Sequence, residues 1–216
     1  LINYESPVTK ILFENSEVVG VLVNNKSIEA DSVILASGGF EANDELRKLY
    51  IGKDWGAAKV RGTPHNTGDG LMMALDIGAM KHGLYDGCHA TPMDLYMKNY
   101  GGLDLEPSER KNYRKICYFL GIMVNAEGKR FLDEGKNFRN YTYAQYGRKV
   151  LEQSGNFAWQ IFDSKVFDLL YEEYRFHDAH FVEGSTIDEI ISKMENVNQN
   201  EVKKTIQEYN DSIDIN

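Results

Sequence analysis

The first forty positions of the chain alternate between short apolar runs and turn-forming residues. β-Branched and aliphatic residues fill positions 11–13 and 18–23, and polar turn residues follow at 14–16 and 24–26. Apolar runs bounded by Asn and Ser are typical of hairpin strands. Positions 32–36 form a further apolar run, which we predict to be a buried strand. The pattern therefore predicts a β-meander that leads into a core sheet.

Beyond residue 40, much of the chain has apolar residues at helical spacing. Asn43 is a favoured N-cap residue and opens a predicted helix at 43–50. A second helix is predicted from Gly68 to Gly78, because its apolar residues share a face and a glycine ends it. Four later helices are predicted at residues 143–151, 164–174, 186–194 and 201–209.

An irregular stretch separates two regions of different pattern. Residues 81–115 are rich in Gly, Asp, Tyr and Met and follow neither period. Long loops of this kind are often functional. A hairpin is predicted beyond them, with strands at 120–125 and 130–132. We therefore expect an α+β chain that divides near residues 85–88.

Composition narrows the range of partners. The 216 residues carry a net charge of −9, and 42% are hydrophobic, which suits one large domain or one domain with part of another. An acidic chain without clustered Lys and Arg is not expected to bind nucleic acid or to insert into a membrane. The two cysteines, Cys88 and Cys117, fit a reducing compartment. We expect a cytoplasmic protein without a metal site.

Two glycine motifs suit a bulky ligand. Residues 37–39 (Ser-Gly-Gly) end the apolar run, and glycines there let the backbone approach a ligand because no Cβ intervenes. A plain strand-to-loop turn is the ordinary interpretation of this triplet. Residues 67–70 (Thr-Gly-Asp-Gly) open the second helix, whose N-terminus favours anions. Asp69 argues against a phosphate, and an Asp that caps the helix is an equally good interpretation.

Three basic or imidazole side chains suit carboxylates. His89 lies in Gly-Cys-His-Ala, although a lone histidine is most often an ordinary surface or core residue. Arg139 follows residues 124–134, which read as a hairpin with a charged rim. Arg61 lies beside Thr63 and is most simply a surface residue near a turn.

Taken in order, these motifs resemble the FAD-dependent flavoproteins of the fumarate reductase/succinate dehydrogenase family. The shared order is the Val-Gly-Val meander, Ser-Gly-Gly, Thr-Gly-Asp-Gly with a later Gly-Ala, the histidine, and the Val-Asn-x-x-Gly-x-Arg-Phe hairpin. Ala90 stands where the family has proline. Arg139 comes one residue later than the matching arginine of the fumarate reductases.

The resemblance implies a fold and a set of site residues. Residues 1–86 would be part of the FAD-binding α/β domain, 87–205 the α+β substrate-capping domain, and 206–216 the start of the return to the FAD domain. The residues implied to contact FAD are Ala36, Ser37, Gly38, Gly39, Thr67, Gly68 and Asp69. Those implied to bind substrate are His89, Thr63, Arg61 and Arg139, and His89 and Arg139 are also implied to be catalytic.

The resemblance also implies a reaction. In the family a hydride passes between a substrate carbon and flavin N5, and the arginine matched by Arg139 handles the proton on the neighbouring carbon. Because a guanidinium normally stays protonated, a bidentate clamp on a substrate carboxylate is the alternative role. The family's Glu and Arg relay has no match in residues 113–118, which weakens fumarate as the substrate.

Residues 60–63 and 138–143 look closer to tricarballylate dehydrogenase, which oxidises a tricarboxylate to cis-aconitate. A polycarboxylate substrate and an iron–sulfur or haem protein as electron-transfer partner are therefore implied. Fumarate, urocanate and a ketosteroid stay open as substrates. A non-catalytic α/β binding domain is the alternative from another class.

Two FAD segments of the family are missing from this sequence. One is the Gly-x-Gly-x-x-Gly βαβ unit, and the other is the later segment that returns a histidine and an arginine to the active site. We therefore expect an internal piece of the enzyme, which alone binds FAD weakly or not at all and does not turn over.

Overall fold

A computed structural model of the chain describes residues 1–101, 103 and 105–213. The chain forms two compact units. The first unit comprises Leu1–Gly56 and Thr63–Gly87, and the second comprises Ala57–Gly62 and the chain from Cys88 onward. The break after Gly87 falls where the sequence pattern changes. That the units are an FAD-binding domain and a substrate-capping domain, and that residues 206–216 begin a return to the former, stays a prediction.

An antiparallel meander forms the sheet of the first unit. Its strands pair in chain order and are β1 (Val8–Glu14), β2 (Glu17–Val23) and β3 (Lys26–Glu29). Both turns have positive φ at their two central residues, Asn15-Ser16 and Asn24-Asn25. Two left-handed residues make a type I′ turn, whose twist matches the strands, and asparagine tolerates this conformation well. The predicted strands at 11–13 and 18–23 are confirmed, whereas β3 was not predicted, because its first residue, Lys26, was assigned to a turn.

Two α-helices follow in the first unit, α1 (Asp44–Tyr50) and α2 (Asp69–Asp76). Asn43 caps α1, because its side-chain oxygen accepts a hydrogen bond from the Leu46 N–H at 3.1 Å. Both helices were predicted, and both are confirmed.

The predicted buried strand at residues 32–36 is wrong. These residues join no sheet within the described part of the chain, and Ile34 is 91% exposed. An apolar run becomes a strand only when a neighbouring strand pairs with its backbone and another layer covers its side chains. The described residues supply neither for this run.

The second unit contains three α-helices and a two-stranded sheet. The helices are α3 (Tyr143–Leu151), α4 (Ile187–Lys193) and α5 (Gln199–Asp211), and the antiparallel strands are β4 (Ile122–Val124) and β5 (Trp159–Ile161). Thr186 caps α4 by accepting a hydrogen bond from the Glu189 N–H at 3.2 Å. The helices predicted at 143–151, 186–194 and 201–209 are confirmed.

β4 is the centre of the core of the second unit. Side chains alternate along a strand, so Ile122 and Val124 face one cluster and Met123 faces the other. The first cluster also holds Ile191, Met194 and Val202, and the second holds Ile116, Tyr118 and Tyr146.

Two predictions for the second unit are wrong. Residues 164–174 do not form one α-helix but two 3-10 turns, Ser164–Leu169 and Glu172–Tyr174, joined by extended backbone. Residues 130–132 are not a strand, since only Arg130 forms a single bridge with Val124. The Glu134 carboxylate instead accepts the Met123 N–H at 2.6 Å, so a side chain satisfies that edge of β4.

The described part of residues 81–115 is irregular, as predicted, with 3-10 turns only at Asn99–Gly101 and Arg110–Tyr113. Within the described part of the chain, no helix combines the length and the hydropathy needed to cross a membrane.

Candidate functional site

The two glycine motifs of the first unit lie against each other. A Cβ on Gly70 would collide with the Ser37 Oγ, and a Cβ on Gly38 would lie 2.8 Å from the Asn66 Oδ1. Gly38 also has a φ of +80°, in the left-handed region that favours glycine. The backbone conformation at Gly38 therefore requires glycine, whereas a methyl group at position 70 would oblige the Ser37 hydroxyl to rotate.

The second motif starts α2 in a way that the sequence left open. Gly68 is the N-cap residue with a φ of +87°, and a Cβ there would lie 2.9 Å from the Phe40 Cβ. Asp69 is the first helical residue and makes no capping hydrogen bond. Its carboxylate accepts a hydrogen bond from the Thr67 Oγ1 at 2.8 Å. The interpretation of Asp69 as a helix cap is therefore wrong.

The paired loops leave one edge free for a ligand. Residues 36–39 are exposed, and so is Asp69 at the start of α2. A flat ligand can approach the exposed backbone at residues 36–39 closely, because Gly38 and Gly39 carry no Cβ. We call residues 36–39 and 67–69 the cradle, and their contact with FAD stays a prediction.

In the second unit, Tyr143 brings His89 and Arg139 together. The His89 ring meets the Tyr143 ring edge-on, with centroids 5.1 Å apart. The Arg139 Cζ lies 5.7 Å from the Tyr143 ring centroid and 5.7 Å from that of Tyr171, within the range of cation–π contact. The predicted pair of substrate residues therefore shares one aromatic neighbour.

Backbone contacts explain the position of His89. The next residue, Ala90, donates its N–H to the Ala144 O at 3.0 Å and accepts the Gly147 N–H at 3.1 Å. Proline has no N–H, so the proline of the family could not make the first of these bonds. Alanine at position 90 is thus explained by this contact with α3.

Arg139 carries a positive charge that no acidic side chain neutralises. It is half-buried at the start of the 3-10 turn Arg139–Tyr141, and no carboxylate of the described residues forms an ion pair with it. Burial raises the pKa of the Cys117 thiol and of the Tyr118 hydroxyl, and the Arg139 charge opposes both rises. An unpaired guanidinium of this kind can bind a carboxylate with two hydrogen bonds.

Comparison with known proteins identifies the family. The family model described as FAD binding domain matches residues 2–215. The chain belongs to the fumarate reductase/succinate dehydrogenase family of FAD-dependent flavoproteins. FAD is the cofactor of this family, and the prediction of FAD is confirmed.

Two relatives of this flavoprotein have different activities by name. The chain is 28% identical over 209 residues to Probable fumarate reductase Ifc3 of Shewanella frigidimarina, covering 93% of the chain and 32% of the relative. It is 32% identical over 179 residues to 3-oxosteroid 1-dehydrogenase of Mycobacterium tuberculosis, covering 74% of the chain and 29% of the relative.

A solved structure confirms the fold class of this flavoprotein at a coarse level. The open conformation of a flavocytochrome c3 fumarate reductase is similar with a TM-score of 0.67 and 26% identity, over 95% of this chain and 35% of that one. The mixed α and β architecture expected for this family is thus confirmed. The chain spans about a third of the length of each of these three relatives.

The other two predicted substrate residues of the flavoprotein are Arg61 and Thr63. Arg61 belongs to the second unit, where burial and the like charge of Arg114 lower its pKa, and none of its described interactions is with His89 or Arg139. Thr63 belongs to the first unit, where its Oγ1 accepts the His65 N–H at 3.2 Å. Their binding of substrate stays a prediction.

Sequence reasoning missed Tyr143 and Tyr171 as members of the site. For Tyr143 there was a signal, because aromatic residues surround Arg139 in the run 138–143. For Tyr171 there was none, since it lies 32 positions beyond Arg139 in a segment predicted to be a helix.

Proposed function

We propose that the full-length protein is an FAD-dependent oxidoreductase that acts on a CH–CH bond of a polycarboxylate. One observation carries the proposal: the half-buried guanidinium of Arg139 contacts two tyrosine rings, lacks a carboxylate partner within the described residues, and shares Tyr143 with His89. A partly desolvated cation without a counter-ion favours an anionic ligand. The FAD-binding family supplies the class of chemistry.

The glycine cradle of the first unit would hold the cofactor. The residues that form it are Ala36, Ser37, Gly38, Gly39, Thr67, Gly68 and Asp69. When bound, FAD supplies the two-electron acceptor or donor of the reaction at N5 of its ring system.

The side chains of the second unit would bind and orient the substrate. Arg139 holds one carboxylate through two of its three guanidinium nitrogens, which fixes the neighbouring carbon pair in one orientation. His89 donates a hydrogen bond to a second substrate oxygen. The positive charge of Arg139 also stabilises negative charge that develops on the carbon next to the carboxylate. Transfer of the proton on that carbon by Arg139 is the alternative to this clamp.

Tricarballylate, oxidised to cis-aconitate, is the first candidate substrate. Its support is the resemblance of residues 60–63 and 138–143 to tricarballylate dehydrogenase. The same hypothesis includes an iron–sulfur or haem protein as the electron-transfer partner and a cytoplasmic location. Fumarate is the second candidate, because of the similarity to Probable fumarate reductase Ifc3. A 3-oxosteroid is the third, because of the similarity to the Mycobacterium tuberculosis enzyme.

Steady-state assays of the full-length protein separate these candidates. Tricarballylate, succinate and a 3-oxosteroid are offered with an artificial electron acceptor, and fumarate with a reduced donor dye. We expect oxidation of tricarballylate. Activity with fumarate or the steroid alone would exclude tricarballylate but keep the enzyme class.

Substitution of Arg139 tests the site itself. Arg139→Ala is expected to lower kcat/KM by about 100-fold or more, because it removes a charged partner of the substrate. Arg148→Ala is the matched control, since Arg148 is an exposed arginine of α3 paired with Glu152. Equal kcat/KM of the two variants would refute the proposed site, and no activity of the wild type with any candidate substrate would favour a non-catalytic domain.

The chain alone is expected to bind FAD weakly or not at all, because it lacks the glycine-rich pyrophosphate motif of the family. A purified chain of these 216 residues that is yellow and retains stoichiometric flavin would contradict this expectation.

A further inference from the structure

Tyr171 places a second phenol at Arg139. Its ring centroid lies 5.7 Å from the Arg139 Cζ, and the residue is 37% exposed. Within the described part of the chain, neither its hydroxyl nor that of Tyr143 has a hydrogen-bond partner. The guanidinium therefore lies beside two phenol rings, and the hydrogen-bonding capacity of their hydroxyl groups is unused.

A partly buried hydrogen-bond network holds the Tyr171 backbone in place. Its N–H donates to the Sγ of the fully buried Cys117 at 3.5 Å. The Cys117 N–H donates to the Tyr174 hydroxyl at 2.8 Å, and that hydroxyl donates to the Gln160 Oε1 at 2.7 Å. A side chain on so firmly anchored a backbone loses little freedom when it binds a ligand.

The chemistry of the phenol complements that of the guanidinium. A carboxylate held by two N–H groups of arginine keeps free lone pairs on both oxygens. An O–H donor beside it makes a charge-assisted hydrogen bond, which is stronger than a neutral one.

We propose that Tyr171 is a further substrate-binding residue, whose hydroxyl donates a hydrogen bond to the carboxylate that Arg139 binds. This inference rests on the proposed function of Arg139. A purely structural Tyr171 would only stack against the guanidinium, and the ring alone would suffice for that.

Tyr171→Phe separates the two roles, because it removes the hydroxyl and keeps the ring. The full-length protein with FAD bound is titrated with tricarballylate, and in a second series with fumarate, by calorimetry. We expect the variant to raise the dissociation constant of the bound probe by about 10- to 100-fold, as for the loss of a hydrogen bond to a charged group. The unfolding midpoint should stay that of the wild type.

Tyr96→Phe is the matched control. Tyr96 is another exposed tyrosine of the second unit, stacked on His180 with ring centroids 3.8 Å apart. Its substitution should leave the dissociation constant unchanged.

Three results would overturn the proposal. If Tyr171→Phe binds within twofold of the wild type while Arg139→Ala loses binding, Tyr171 is structural and the proposed function stands. If Arg139→Ala also binds the probe normally, the role of Tyr171 and the proposed function of Arg139 are both wrong. If the wild type binds neither probe, the carboxylate site at Arg139 is wrong, and the role of Tyr171 falls with it.

Discussion

Gly147 and Ala90 are in direct backbone contact. The Gly147 N–H donates to the Ala90 O at 3.1 Å, and a Cβ on Gly147 would lie 2.5 Å from the Ala90 carbonyl carbon. Tyr143 lies four residues earlier in α3, on the same face as Gly147. Contact of Ala90 with Gly147 therefore places the adjacent His89 on the Tyr143 ring.

Gly147→Ala is expected to break this contact. The new methyl group would meet backbone atoms of Ala90 and Thr91, which cannot rotate away. Overpacking of this kind costs about 1–3 kcal/mol, more than the roughly 1 kcal/mol that alanine gains over glycine in a helix. Denaturant unfolding should show a lower free energy of unfolding, and His89-dependent substrate binding should weaken.

The control for this change is Gly87→Ala. The nearest heavy atom to a Cβ on Gly87 is 4.0 Å away, so the free energy of unfolding should change by less than about 0.5 kcal/mol. A Gly147→Ala protein more stable than the wild type would show that helix propensity outweighs the contact.

Elements set by local chemistry were predictable from the sequence. The β1–β2 turn needs Asn15 and Ser16 in left-handed conformation, and α1 needs Asn43 as its cap. Both requirements involve residues that are neighbours in the chain. The family and its cofactor were also predictable, because four motifs, from Ser-Gly-Gly to the hairpin before Arg139, follow the meander in a fixed order.

Elements set by distant contacts were not predictable. Residues 32–36 have a strand-like pattern but no pairing strand among the described residues. The segment around Tyr171 has a helical pattern, yet its conformation follows from the hydrogen bonds of Cys117, 54 positions earlier in the chain. The second tyrosine at Arg139 depends on that long-range contact.

Lys115→Met is expected to destabilise the second unit. The Lys115 Nζ lies 3.6 Å from the Asp94 carboxylate, whose side chain is only 2% exposed, and donates to the Glu173 O at 2.7 Å. Methionine fills the space but leaves the buried carboxylate without its cation. Breaking a buried pair in this way costs about 3 kcal/mol, measurable by denaturant unfolding.

Lys149→Met serves as the control for Lys115. Lys149 is a half-exposed lysine of α3 that pairs with Glu152 at 2.9 Å. Exposed pairs contribute less than about 1 kcal/mol, so the change should be small. An equal decrease in the free energy of unfolding of both variants would show that Lys115 does not stabilise the buried Asp94 carboxylate.

Tyr174 is expected to make the fold sensitive to alkaline pH. Burial raises its pKa well above the ordinary value of about 10, so the folded state keeps the proton longer than the unfolded state. The contribution of the protonated Tyr174 hydroxyl to the free energy of unfolding is fully present below about pH 10. It is lost as the pH rises through the pKa of Tyr174 in the folded state. One such group lowers the free energy of unfolding by about 1.4 kcal/mol per pH unit in this range.

Tyr174→Phe isolates this contribution. The variant should be less stable at neutral pH, because the Cys117 N–H and the Gln160 Oε1 lose their partner. Its free energy of unfolding should fall less steeply above about pH 10 than that of the wild type. Parallel curves for the two proteins would exclude Tyr174 as the source.

The contact between Ser37 and Gly70 gives a test of the cofactor cradle. Gly70→Ala in the full-length protein would drive the new methyl group into the Ser37 Oγ, so the Ser37 hydroxyl must rotate to another position at the exposed edge. We expect the dissociation constant of FAD, measured by quenching of flavin fluorescence, to rise about 10-fold, which corresponds to the lower part of the overpacking range.

Removing the Ser37 hydroxyl should relieve the collision. The Ser37 Cβ lies 3.6 Å from the position of the new methyl, which is ordinary contact. The double variant Ser37→Ala/Gly70→Ala should therefore bind FAD more tightly than Gly70→Ala. The single variant Ser37→Ala completes the double-mutant cycle. A double variant no better than Gly70→Ala would mean that the collision is not the cause. Wild-type affinity in Gly70→Ala would mean that this loop does not touch the flavin, and the cradle would lose its assigned role.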